Sequence, residues 1–149
     1  MKTIVALVDF SDVTPKVLNQ AETLAKAFDS QVIIMHAVRT ETVDLSEYGP
    51  DSVTLLEAHD QAMRAGQAKL LELQDSLTKS GVNVSSQELP DAVLGTILDE
   101  CGRLNADLII VGSNHHSTLY NLFIGTFTHD LLERASCPLL VVPAEPGAK

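Results

Sequence analysis

A chain of 149 residues with an apolar share of 45 % can bury one ordinary core and has no room for two. Ten Lys and Arg stand against twenty Asp and Glu, a formal charge of −10. A field of that sign excludes nucleic acid and anionic membrane surfaces as favoured partners and repels free nucleotides as well.

The N-terminal apolar run from Ile4 to Val8 is too short for a signal peptide. The uncharged stretch from Leu108 to Thr128 contains Gly-Ser-Asn-His-His-Ser-Thr, a cluster no bilayer helix would hold. Cys101 and Cys137 have no His or Cys at ligand spacing, so they form neither a zinc site nor a disulfide framework. The expectation is a soluble cytoplasmic protein with reduced thiols.

Ile4 to Val8 has the β-branched content of a strand buried on both faces, and it stops at Asp9-Phe10-Ser11-Asp12. Pro15 suits the first turn of a helix, with Thr14 or Asp12 as N-cap. Leu18, Ala21, Leu24, Ala25 and Phe28 then follow the spacing of one buried stripe.

Val32 to Val38 reads as a second strand, and the acidic stretch from Glu41 to Asp51 as a loop. Leu56, Met63, Leu70 and Leu77 recur every seven residues, with Leu73 between, and predict a long core helix that Gly81 ends. Val82 to Leu89 alternates weakly, as a strand near a sheet edge would. Pro90-Asp91 opens a helix carrying Val93, Ile97, Leu98, Cys101 and Leu104.

Leu108 to Val111 is a further buried strand. Past a polar loop, Gly125-Thr126 leads into a helix with Leu131, Leu132 and Ala135 on one face. Leu139 to Val142, between Pro138 and Pro143, is the last strand. Strands alternating with helices imply a single-domain, doubly wound α/β fold. Its five-stranded, mostly parallel sheet is covered by helices on both faces. The domain spans residues 1–143 and residues 144–149 form a tail.

In such a sheet ligands bind beyond the carboxyl ends of the strands, where the strand order reverses. Three segments meet there: Asp9 to Ser11, His36 to Val38, and Gly112 onward. They bring an acid, a hydroxyl and a glycine loop that feeds a helix N-terminus, where backbone amides can approach an anion. Each residue also has a structural duty open to it. Asp9 and Ser11 can hold a turn or cap, Thr126 can cap its helix, and His36 can line core or crevice. His115 and His116 lack the carboxylate or thiol partners of a metal site. No Ser-His-Asp order or carboxylate pair marks a catalytic centre.

Val-Asp-Phe-Ser at 8–11, Ile-Ile-Met-His-Ala-Val at 33–38, Ala-Asp-Leu-Ile-Ile-Val-Gly-Ser at 106–113, and Gly-Thr at 125–126 followed by Cys-Pro-Leu-Leu-Val-Val-Pro resemble, in order, the universal stress protein family. The resemblance implies a cytoplasmic stress-response regulator that dimerises through its last strand, Leu139 to Val142. It also implies an adenine nucleotide (ATP, ADP or AMP, with or without Mg2+) bordered by Asp9, Ser11, Ala37, Val111, Gly112, His115, Gly125, Thr126, Phe127 and Thr128.

Family members that bind nucleotide carry a Gly-x2-Gly-x9-Gly-Ser/Thr loop. Here Gly112, Gly125 and Thr126 match it, and His115 replaces the second glycine. Leu7 replaces a frequent proline, and the loop from Ser113 to Thr126 has no Lys or Arg. Two alternatives stay open. One is a dimeric interaction module that binds no nucleotide, which His115 favours, and the other is an ATP-hydrolysing enzyme. Enzymes of the related hydrolase group that activate substrates with ATP carry a Ser-Gly-Gly-type loop after the first strand, and Asp9-Phe10-Ser11 lacks those glycines.

Overall fold

The computed structural model describes residues 1–38, 52–90, 93–113 and 126–143, and gives only the backbone of Ser52, Ser113 and residues 126–129. The elements are β1 (Thr3–Val8), α1 (Thr14–Phe28), β2 (Gln31–Val38), α2 (Ser52–Lys79), β3 (Asn83–Pro90), α3 (Leu94–Arg103), β4 (Leu108–Ser113), α4 (Thr126–Arg134) and β5 (Leu139–Pro143). All strand pairs are parallel, in the order β3-β2-β1-β4-β5. β3 lies at one edge, as its weak alternation predicts, and β5 at the other.

Each inner strand buries both faces. Ile4, Ala6, Val8, Val32, Ile34 and Ile110 pack with Val17, Leu18 and Ala21 of α1 and Leu70 and Leu77 of α2. Val5, Leu7, Ile33, Met35, Ile109 and Val111 pack with Ile97 and Cys101 of α3, and α4 lies beside α3. This two-sided covering is why the central strands read as unbroken apolar runs. Burial, with smaller effects from Cys137 and Glu100, pushes the Cys101 thiol up to about 12, and both cysteines are unpaired.

Several helix boundaries and faces differ from the sequence pattern. The N-cap of α1 is Val13, without a side-chain cap, so neither Thr14 nor Asp12 serves there. Phe28, in the last turn of α1, is 55 % exposed, and Asp29 then turns the chain at φ 53°. In α2 only the later leucines of the heptad are buried. Leu70 and Leu77 lie on the sheet, Leu73 packs at its margin, and Leu56 is 45 % exposed.

The helix nevertheless ends as expected. Gly81 takes φ +89°, Val82 N–H donates to the Leu77 carbonyl, and Gly81 N–H donates to that of Thr78. Pro90 closes β3 instead of opening α3, and Val93 precedes that helix, exposed. Leu132 of α4 points outward and Ala135 follows the helix end. The acidic segment and the tail at 144–149 lie outside the described residues.

At the amino ends of the strands, the Asp107 carboxylate accepts the backbone N–H groups of Lys2 and Thr3 at 2.7 and 2.9 Å. These bonds hold the carboxyl below its ordinary range and tie β1 to the entry of β4.

Candidate functional site

The chain runs outward from β1 through β2 to β3 and then returns to place β4 on the other side of β1. The strand order therefore reverses between β1 and β4, the position at which a doubly wound sheet offers its ligand crevice. Asp9 to Ser11, the end of β2 and Gly112 all stand at this edge.

The β1 exit is a tight side-chain-supported turn. One oxygen of Asp9, Oδ1, accepts the Ser11 N–H at 3.0 Å, the Ser11 hydroxyl, and more distantly the Thr14 hydroxyl at 3.4 Å. The first bond makes an Asx turn. Asp9 thus holds its own turn and does not cap α1. Ser11 supports the turn twice more, since its carbonyl also accepts the Thr14 N–H at 3.0 Å. Three donors converge on Oδ1, and Oδ2 has no donor among the described residues.

Between Asp9 and Ser11, Phe10 sits at φ 60°, a left-handed conformation that is unusual for a bulky aromatic residue. Its ring packs on His36, with centroids 4.3 Å apart, and the Lys69 ammonium lies 5.7 Å from its centre. Phe10, Ser11, Thr14, Pro15, Lys69 and Leu73 line a shallow cleft of about 280 Å³ between this turn and α2.

Across the crevice, Gly112 has a packing duty that the motif alone does not reveal. A Cβ placed there would overlap Val13 Cγ1 and lie 3.1 and 3.2 Å from methyls of Val13 and Val17. The missing side chain lets the start of α1 close onto β4. Val111 sends its side chain into the core on the α3 face, and Ala37 is half-buried against the same face. Both bring backbone to the strand ends.

His115, His116 and Gly125 lie outside the described residues, as do the side chains of Thr126, Phe127 and Thr128. The backbone of α4 starts at Thr126. Phe10, Lys69 and Glu88 were not singled out in the sequence, because nothing local to them marks the contacts they make. Among the described residues no group of three or more His, Cys, Asp or Glu could hold a metal ion, and no helix is long and apolar enough to cross a membrane.

The model of the universal stress protein family matches residues 1–143. The chain is 27 % identical over 146 residues to the universal stress protein YxiE of Bacillus subtilis, covering 95 % of this chain and 97 % of the relative. It superposes on the hypothetical protein MJ0577 with a TM-score of 0.78 at 19 % identity, over 98 % of each chain. On the universal stress protein of Archaeoglobus fulgidus in complex with dAMP the TM-score is 0.64 at 18 % identity, over 95 % of this chain and 97 % of that one. Because the family model spans all but the last six residues, the chain belongs to the universal stress protein family.

Proposed function

We propose that the chain binds an adenine nucleotide in the crevice between β1 and β4 and acts as a cytoplasmic stress-response regulator. The observation that carries this reading is the Asp9 turn. A carboxylate is fixed at the mouth of the crevice by three donors on one oxygen, and the other oxygen is left to accept from an amino group or a ribose hydroxyl. The complex of the Archaeoglobus fulgidus relative with dAMP supports the ligand class.

Ala37 would line the adenosine through its backbone. Gly112, His115, Gly125, Thr126 and Thr128 would border ribose and phosphates, next to the amides that open α4. Mg2+ carried with a triphosphate would supply the positive charge that the loop from Ser113 to Thr126 lacks. No residue is assigned a catalytic role. The nucleotide acts as a ligand whose unequal affinity for two conformations shifts their populations.

A ligand that binds only the folded chain raises Tm according to RT ln(1 + [L]/Kd). Millimolar ATP, ADP or AMP with magnesium is therefore expected to raise Tm, and the shift should shrink in Asp9→Ala and in Gly125→Val. No shift with any of them, in protein shown by mass analysis to be nucleotide-free, would favour the interaction module instead, the reading that His115 supports.

The same proposal includes a homodimer. Among the described residues β5 pairs only with β4, and its Val141 is exposed, so its outer edge offers backbone groups to a second copy. Light scattering on the eluted protein should give about twice the chain mass of 16.0 kDa. A clean monomer at tens of micromolar would contradict it.

A further inference from the structure

On the face covered by α1 and α2, His36 of β2 and Glu88 of β3 stand opposite each other as register partners. His36 Nδ1 is buried and finds no hydrogen-bond partner among the described residues. Glu88 Oε1 lies 3.8 Å from it, beyond hydrogen-bond reach. Gly66 of α2 lies beside that same oxygen, and a Cβ there would come within 3.3 Å of it, so the missing side chain leaves the Glu88 carboxylate its place.

A neutral imidazole in this position leaves an unsatisfied N–H or turns a lone pair toward a carboxylate. A protonated one would donate from Nδ1 to Glu88, but only after the gap closes by about 1 Å to the length of a charge-assisted bond. Phe10 packs on that same ring, with centroids 4.3 Å apart, so a shift of the imidazole changes the contact beside a left-handed backbone that is costly for an aromatic residue.

We propose that His36 and Glu88 form a proton-operated latch under Phe10, whose closure releases the strained Asp9–Ser11 turn. Solvent supplies the proton, and the new bond runs from His36 Nδ1 to Glu88 Oε1. Among the described residues, the charged groups acting on this ring are Glu88 from β3 and Asp9 from the turn, while α2 brings Lys69 to the Phe10 ring and Glu72 to the same cleft. Burial holds His36 below its ordinary value against the opposing pull of Glu88 and Asp9, so the latch is open at neutral pH and closes in mildly acid solution.

If the nucleotide reading is right, on which this one consequence rests, a relaxed turn binds the ligand less well. AMP affinity should then fall about threefold on closure, and bound AMP should lower the proton affinity of His36 by the same factor.

The test is an NMR titration of the full ligand-free chain from pH 8 to 5, following the His36 ring, the Phe10 ring and the Ser11 amide. All three are expected to share one midpoint below about 6.5, the reference for histidine. Glu88→Gln should move that midpoint further down, and His36→Gln should leave the Phe10 and Ser11 signals flat. His36 titrating while Phe10 and Ser11 stay still would overturn the latch, as would Ser11 movement that persists in His36→Gln. If His36→Gln does not fold, the Glu88→Gln midpoint decides, and an unchanged value refutes the pairing. Calorimetry with AMP at pH 7.5 and 5.5 separates the two ideas. Failure to bind at either pH counts against the nucleotide reading alone, while the ligand-free titration decides the latch.

Discussion

Gly112→Ala is expected to lower stability by about 1–3 kcal/mol, the usual range for a group forced into a filled space. For a chain of this size that is a fall in Tm of roughly 3–10 °C. The added Cβ would overlap Val13 Cγ1 and press on Val17, and neither valine has room to move, since both are buried between α1 and the sheet. The loss should appear without any nucleotide, which separates packing from ligand binding. Val13→Ala removes the methyls that the new Cβ meets, so the double variant should lose clearly less than the sum of the two single losses. Gly112→Ala as stable as the parent would mean that α1 can shift, and the need for glycine there would lie with the ligand.

Leu70→Ala and Leu77→Ala are each expected to cost about 2–5 kcal/mol, the range for truncating a buried leucine and leaving a cavity. Leu56→Ala, from the same heptad, should stay within about 0.5 kcal/mol. Leu70 is 4 % exposed and packs with Ile34 and Val32 in one core cluster, whereas Leu56 lies on the exposed first half of the 28-residue α2. Urea unfolding checks this through the midpoint, with the slope unchanged if only stability has moved. Equal losses at Leu56 and Leu70 would show that the first half of α2 is buried in solution.

The candidate site was legible in unequal parts. Asp9, Ser11 and Gly112 could be placed at one crevice because each follows a strand, and a parallel sheet gathers its strand ends. The Asx turn was foreseeable from Asp9 and Ser11, since that bond is local. The contacts of Phe10 with His36 and Lys69 were not, because they join three segments far apart in sequence. His36 could be read only as core or crevice wall, and its unpaired Nδ1 emerges once Glu88 of β3 stands opposite it.

Order and type of the elements were determined by the sequence itself. β-Branched runs, helical spacing, Gly81 and the prolines act within a few residues, and their physics is settled before the chain folds. The family could be recognised for a similar reason, since its short motifs fall in order along the chain. Tertiary structure alone decided which side of a periodic stripe is buried. Phe28, Leu56 and Leu132 keep the apolar spacing but lie on exposed helix surface, because burial requires a partner and periodicity supplies only one side of the contact. It also gave Gly112 a packing role, since Val13 reaches β4 only when α1 packs across the sheet.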